Sequence, residues 1–473
     1  MKKYDIAIVG GGASGMAAAI AAAENGASVM VIEANPKVGG NGIFPMGIYG
    51  VDSPVQRRSL IYTSTEEAFH SCMEYSHWKL DARLVRKIID KTGDTIAWLE
   101  NMGVHFEQVI HHTPNQAPEV FHIVAPPVTT GTTVMNAMEK RASALGVEYM
   151  LRTRAKKLML DEQGRACGVI AENAQGETVS VEAGKVILCA GGFAGNEELI
   201  AKFFPKYNPD NFIHMHGMRY KGEGILMALE AGAEVEGNFA MEMGAPKMVD
   251  GNEIGLLLGK PFNIWLNADG ERYCNESDVD NFVNVANASS RQKNGIVYVF
   301  FNKELYDRAL VTPRSPLERI SIPAEAESRM EKTVQKKIDA GLLCISDSLE
   351  GIAEYMGVPA GKLRATVEEY NNSCLHGYDE HFGKSRRDMI AIEGGPYYVI
   401  KAGVDMIATH GGIRTNTDFE ALKADRTPVG NLYIAGTDVG GLDADVYNMT
   451  MSGHAFGFAV NTGRLAGEAA AKA

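Results

Sequence analysis

The sequence predicts an α/β fold, a Rossmann-like nucleotide-binding domain into which a smaller α+β domain is inserted. Three observations predict it. The apolar run Tyr4 to Val9 meets the glycine turn Gly10-Gly11-Gly12-Ala13-Ser14-Gly15, which opens directly into an alanine-rich helix from Met16 to Glu24. A second apolar run, Ser28 to Ile32, ends in the acid Glu33. From about Phe239 to Ile392 the glycine punctuation thins, and it returns in the C-terminal segment.

The opening stretch carries the most chemistry. In a strand, glycine turn and helix of this kind Gly10 allows the tight turn, Gly12 lets a pyrophosphate approach the backbone, and Gly15 lets helix and strand pack closely. The first-turn amides, at Ala13 and Ser14, then face phosphate at the positive end of the helix. Glu33 is placed to accept hydrogen bonds from a ribose. With 473 residues the chain is long for one core, so two domains are expected. The division is 1–238 for the first part of the nucleotide domain, 239–392 for the insert and 393–473 for the second part. A formal charge of −13 and a pI near 5.5 exclude a general attraction to nucleic acid or anionic membrane and favour a small-molecule partner. The first strand begins at about residue 4, with no room for a signal peptide, and no apolar run is long enough to span a bilayer. The chain is therefore expected to be cytoplasmic. Its six cysteines are scattered, without a Cys-x-x-Cys pair, and are expected to be reduced and mostly structural.

Further along, Gly39-Gly40-Asn41 forms a second glycine loop. Glu66 to Tyr75 and Ala82 to Met102 read as helices, the second with core residues at helical spacing. Between Val104 and Pro127, His105, His111, His112 and His122 match no zinc spacing, so no metal is assigned and a pocket-lining loop is expected. A helix from Thr129 to Leu145 leads to a strand from Tyr149 to Arg154. A meander of Ala155 to Leu160, Ala166 to Glu172 and Thr178 to Ala183 follows, its turns marked by Asp161-Glu162-Gln163-Gly164 and Asn173-Ala174-Gln175-Gly176. Lys185 to Cys189 reads as a separate buried strand closed by Ala190-Gly191-Gly192-Phe193. In the insert, Val297 to Phe301 reads as a strand, Glu325 to Ala340 and Gly361 to Cys374 as helices, and Ser315 to Pro323 as a loop.

Together the Gly10 to Gly15 fingerprint, Glu33, Gly39-Gly40-Asn41, Gly191-Gly192-Phe193 and Gly222-Glu223-Gly224-Ile225 resemble the fumarate reductase and succinate dehydrogenase flavoprotein superfamily. That superfamily includes soluble fumarate reductases and 3-ketosteroid dehydrogenases. The C-terminal segments Thr409-His410-Gly411-Gly412, Pro428 to Gly436 and Gly463-Arg464-Leu465-Ala466-Gly467 extend the likeness over nearly the whole chain. The resemblance implies a glutathione-reductase-like FAD-binding domain with a capping domain at 239–392, and an FAD whose ring lies at the domain interface. It implies that Gly39, Gly40 and Asn41 run along the flavin, that backbone near Ala155 meets the adenine side, and that Ala190, Gly191 and Gly192 line the cofactor. It further implies that Gly436, Thr437 and Asp438 lie beside the ribityl chain. The family usually has glutamate after Ala-Gly, so Asp438 substitutes for it only with a shift of one position. The helix begun by Ser452, Gly453, His454 and Ala455 is expected to aim its amides at the flavin edge where charge gathers on reduction.

Departures from fumarate reductase redirect the chemistry. The family's proton-donating arginine, counted from Asn275-Glu276, falls on Asp280; its substrate histidine falls on Ala408, a second arginine on Thr450, and a histidine before proline on Ala245. A dicarboxylate substrate is therefore not expected. Neutral donors remain. Tyr447 stands near the place of a catalytic tyrosine in ketosteroid dehydrogenases, and a phenol polarises a carbonyl without the cost of burying a charge. His410 either replaces the missing histidine or is satisfied by backbone. His454 either contacts the flavin or caps its helix. Asp280 is an acid if burial raises its pKa, and otherwise a solvated carboxylate. Tyr273 is expected to pack the cap; Arg219, Arg291 and Arg414 are weaker anion ligands.

The expected function is an FAD-dependent oxidoreductase of CH-CH bonds. It is an ene-reductase passing hydride from flavin N5 to the β-carbon of an α,β-unsaturated carbonyl compound other than fumarate. The alternatives are a dehydrogenase introducing the double bond, an oxidase or dehydrogenase of CH-NH or CH-OH substrates, and a non-catalytic flavin-binding protein. No second strand-glycine-helix unit for a nicotinamide appears, so the electron donor is external: NAD(P)H, a quinone or a redox protein.

Overall fold

A computed structural model describes residues 3–111, 118–125, 128–213, 220–248, 254–313 and 326–473. His112, Arg219 and the expected loop Ser315 to Pro323 lie outside the described residues. The chain forms two compact units. One comprises Met1–Leu199, Arg219–Met241 and Ala408–Ala473; the other comprises Ile200–Met218 and Glu242–Ile407.

The first unit is built on an eight-stranded mixed sheet. Its main path runs Glu420–Leu422, Pro428–Ile434, Thr178–Leu188, Lys3–Val9, Val29–Ile32, Glu148–Met150. From Pro428–Ile434 to Glu148–Met150 every neighbour pair is parallel, with Ile8 opposite both Val31 and Ile187. Val29–Ile32 is buried along its whole length, as a parallel strand covered on both faces must be. Two local readings are corrected. The strand expected from Tyr149 to Arg154 stops at Met150, because Arg152 takes a left-handed conformation (φ 52°) that breaks the ladder before Arg154–Leu160 begins. Lys185 to Cys189 is not a separate strand. Thr178–Leu188 is continuous, pairing antiparallel with Ala166–Glu172 in its first half and parallel with Lys3–Val9 in its second.

The opening helix, Ala13–Glu24, lies against the final helix, His454–Lys472. Their approach explains two C-terminal glycines. A Cβ at Gly463 would collide with the Ser14 carbonyl, and one at Gly467 with the carbonyl of Ala18, one turn further along. A separate three-stranded sheet holds His122. That ring is fully buried, its Nε2 2.6 Å from Ser53 Oγ and its Nδ1 3.0 Å from the Val120 carbonyl, and burial pushes its pKa down to about 4. It is a neutral structural histidine, not a pocket ligand. Among the described residues no group of side chains is arranged to hold a metal.

The second unit centres on the long strand Tyr397–His410, which pairs with Val297–Asn302, Leu343–Ser346 and Phe212–Ile213. Those pairings tie the strand Phe212–Ile213 and residues 397–407 to this unit. Its core includes Trp265, Phe300 and Phe301 and, fully buried beside them, an ion network. Arg272 binds Glu276 through both oxygens (2.9 and 2.7 Å) and Asp379 (2.9 Å); Lys384 Nζ lies 3.4 Å from Glu276 and donates to the Asn263 carbonyl at 2.7 Å. Tyr273 packs here as expected, with its hydroxyl 2.9 Å from Ser289 Oγ. Among the described residues no helix is long and apolar enough to cross a membrane.

Candidate cofactor and active site

The glycine turn leaves backbone open at the start of the first helix. Gly10 has φ 100°, and a Cβ there would strike the Cys189 carbonyl, so strand and turn approach as the fingerprint requires. Gly12 differs. Its φ of −76° suits any residue, and a Cβ on it would meet nothing within 4 Å. Nothing inside the protein therefore asks for glycine there, whereas a ligand lying over the backbone would. The helix behind it has no side-chain cap and no acid in its first turn, so its leading amides are left to face an anion. Glu33 is 5% exposed; it accepts from Gly11 N at 2.6 Å and from the Asn35 amide and side chain at 2.7 Å each. Three of roughly four carboxylate acceptor sites are used, leaving one for a hydroxyl.

Several of the other expected cofactor residues are tied to this turn or to one another. Gly39 N donates to the Gly11 carbonyl at 2.8 Å, and Asn41 bonds the Tyr220 hydroxyl at 3.1 Å. Ala155 is buried on its strand next to a register shift, where the regular ladder skips. Gly191 and Gly192 take positive φ. Asp438, expected beside the ribityl chain, holds this loop with both oxygens, accepting from Gly192 N at 2.8 Å and Ala190 N at 3.0 Å. It is fully buried, and burial pushes its carboxyl up to about 6 against the pull of the Gly192, Ala190 and Gly191 amides. Thr409 Oγ1 accepts from Phe193 N at 2.9 Å and Gly411 N donates to the Thr437 carbonyl at 3.1 Å, so the chain before His410 is fixed to this loop and the chain after it to the turn Gly436–Asp438. Thr437 Oγ1 is buried without a hydrogen-bond partner. An open glycine, uncapped amides and a buried orphan hydroxyl all fit a bound dinucleotide.

Tyr447 and His410 come together. Their rings are 5.1 Å apart, and both sit beside His454, whose ring is 4.2 Å from Tyr447 and nearly parallel to it. At the centre is Asp443, a residue sequence reasoning missed. Its carboxylate is 3.0 Å from His454 Nε2 and 3.5 Å from His410 Nδ1. Burial would raise the pKa of Asp443, but the charge and hydrogen bond of His454 and then the charge of His410 outweigh it and hold the carboxyl below its usual range. His454 Nδ1 faces the Met451 carbonyl at 3.0 Å and its Nε2 faces Asp443, so oxygen partners stand at both ring nitrogens. His454 does not cap its helix: the N-cap of the final helix is Gly453, φ 80°, with no side-chain cap. Ser452 is buried and its hydroxyl donates weakly to the Met449 carbonyl, while Ala455 is half-buried in the first turn.

The remaining candidates lie on other segments. Asp280 belongs to the second unit, half-buried at the end of the turn Glu276–Asp280. Arg414, considered for anions, is paired with Glu236 at 2.6 Å, and Arg291 is exposed. Thr450 binds its own loop through Asn448. The only signal for Asp443 in the sequence is an acid between Gly440-Gly441-Leu442 and the apolar loop carrying Tyr447; its histidine partners are set by folding.

Residues 5–447 match the FAD binding domain family. A vinyl phenol reductase of Lactiplantibacillus plantarum is 29% identical over 486 aligned positions, covering 99% of this chain and 96% of that protein. A urocanate reductase of Eggerthella lenta is 28% identical, covering 92% of this chain and 70% of its own length. Among solved structures, the open conformation of a flavocytochrome c3 fumarate reductase shares the fold, with a TM-score of 0.77 at 23% identity over 100% of this chain and 78% of that one. The chain belongs to the FAD-binding flavoproteins of the fumarate reductase and succinate dehydrogenase superfamily, FAD-dependent oxidoreductases that act on carbon-carbon double bonds.

Proposed function

We propose that the protein is an ene-reductase for neutral conjugated alkenes, above all α,β-unsaturated carbonyl compounds, and not for fumarate. The observation that carries this reading is the buried group of Tyr447, His410, His454 and Asp443, on the same two segments where counting along the family's motifs finds Ala408 and Thr450 instead of histidine and arginine. Bound FAD supplies the hydride. The chain supplies polarisation: a phenol or imidazole N–H hydrogen-bonded to the substrate oxygen draws charge from the alkene, and the bond strengthens as negative charge gathers on that oxygen. Asp443 acts one layer back, fixing which ring nitrogen of His410 carries the proton and holding His454 under the Tyr447 ring. Asp280 is the carboxyl assigned to the α-carbon proton, and the unit that carries it is assigned as the cap. Gly10, Gly12, Ala13, Ser14, Gly15, Glu33 and the loops 39–41 and 190–192 are assigned to FAD; NAD(P)H, a quinone or a redox protein supplies the electrons.

The full-length likeness to a vinyl phenol reductase supports an alkene without two carboxylates, and makes a hydroxystyrene the second substrate to try. The test mixes chemically reduced enzyme anaerobically with an enone, a hydroxystyrene or fumarate and follows reappearance of the oxidised flavin absorbance. The enone should reoxidise it, and Tyr447→Phe should slow that step about a hundredfold while leaving bound FAD in place. Reoxidation fastest with fumarate, or equal rates in wild type and Tyr447→Phe, would discard the reading.

A further inference from the structure

We propose that Tyr220 is a cofactor-binding residue, the strap that closes the FAD cradle and sets how fast FAD leaves it. Its hydroxyl accepts from Asn41 N and donates to Asn41 Oδ1, both at 3.1 Å. Its ring lies against Gly191, where a Cβ would come within 3.1 Å of two ring carbons. Gly40, at φ 50°, has Tyr220 Oη on one side and Gly12 Cα on the other, each 3.4 Å from where its Cβ would be. One phenol therefore touches two glycine loops and stands one residue from the third.

The backbone anchors it. The Tyr220 carbonyl accepts from Gly195 N at 2.9 Å and Gly222 N donates to the Gly192 carbonyl at 3.0 Å, so residues 220–222 belong firmly to the 190–196 loop. That loop is already held by Asp438 and Thr409. The Tyr220 side chain is not needed for it; what the side chain adds is a crossing to the 39–41 loop. Burial raises the phenol pKa, and the Glu33 carboxylate adds to the rise against the opposing Asn41 bond, which keeps the hydroxyl protonated and also places it near the acid expected to take the ribose. A dinucleotide seated at Gly12 and Glu33 is thus enclosed by a bridge made of one side chain and one pair of hydrogen bonds, which opens without disturbing either loop's own bonding.

The proposal rests on FAD binding alone and stands or falls independently of the substrate. Holoenzyme is diluted and FAD release followed by the rise in flavin fluorescence, with far-ultraviolet circular dichroism reporting the fold. Tyr220→Phe keeps the ring and removes the crossing bonds; release should quicken about three- to tenfold with the dichroism unchanged. Asn41→Ala removes the same contact from the other side and should do likewise. The double variant should release FAD no faster than the worse single one, since one contact is lost either way. Unchanged release in both single variants would overturn the proposal. So would slower release, which would mean that the phenol competes with FAD for its place.

Discussion

Asp438→Asn decides between two opposing effects on one carboxylate. Fully buried, Asp438 accepts from the amides of Gly192 and Ala190, and such bonds favour its charge. Burial disfavours that charge and wins, moving the carboxyl from 3.8 to about 6. That difference is worth about 3 kcal/mol. Because the folded value is raised, the contribution is complete below the unfolded value of 3.8 and is lost as pH rises through about 6. Integrated from about pH 8 to about pH 4.5, wild type should gain about 2 kcal/mol on the asparagine variant. Asparagine also turns an NH2 group toward one backbone amide, a cost of about 1–3 kcal/mol that does not vary with pH. The two proteins should therefore be of similar stability near pH 8 and differ clearly near pH 4.5. Urea unfolding at one fixed FAD concentration, with both proteins measured at each pH, reads this difference; other titrating groups are common to both and cancel. A difference that is flat, or that shrinks toward acid, would show that the loop amides outweigh burial and refute the reasoning.

Four further outcomes follow from single residues. His122 runs opposite to Asp438: its folded pKa is lowered to about 4, so its stabilisation is present above 6.5 and is lost as pH falls through about 4. His122→Asn should cancel about 2 kcal/mol of the wild-type loss between about pH 8 and about pH 5, read as urea midpoints; equal losses would refute a buried neutral ring. Gly463→Ala drives a methyl into the Ser14 carbonyl at the crossing of the first and last helices and should cost about 1–3 kcal/mol. Gly361→Ala, whose Cβ meets nothing within 4 Å on a surface helix, should stabilise by up to about 1 kcal/mol in the same melts. Lys384→Met leaves Glu276 buried with Arg272 alone and should cost about 3–5 kcal/mol; a melt within 1 °C of wild type, on the order of the scatter expected of a neutral change, would count against the network.

The parts legible in the sequence were those fixed by neighbours along the chain. The 10–15 turn declares itself because each glycine answers a demand within a few residues: Gly10 needs positive φ, and Gly15 would strike the Gly10 carbonyl with any side chain. The helix Ala82–Asn101 follows from the spacing of its core residues, and the structure adds Asp81 as its cap and Ser64 as the cap of Thr65–Tyr75 before it. Thr178–Leu188 was harder, because a strand that changes partners midway looks like two strands to a local reading.

By itself, then, the sequence indicated an α/β chain that takes FAD, pointed to its first glycine turn for the dinucleotide, and offered Tyr447 and His410 as candidates where counting along the family's motifs finds no dicarboxylate-binding cation. Only the tertiary structure decided what those groups touch. Asp438 finds its loop amides 246 residues away, Asn41 meets Tyr220 across 179, and Asp443 joins two histidines from different segments. A buried polar group must be satisfied wherever the packed chain offers a partner. That choice is made by the three-dimensional arrangement of strands and helices, and no spacing along the chain encodes it.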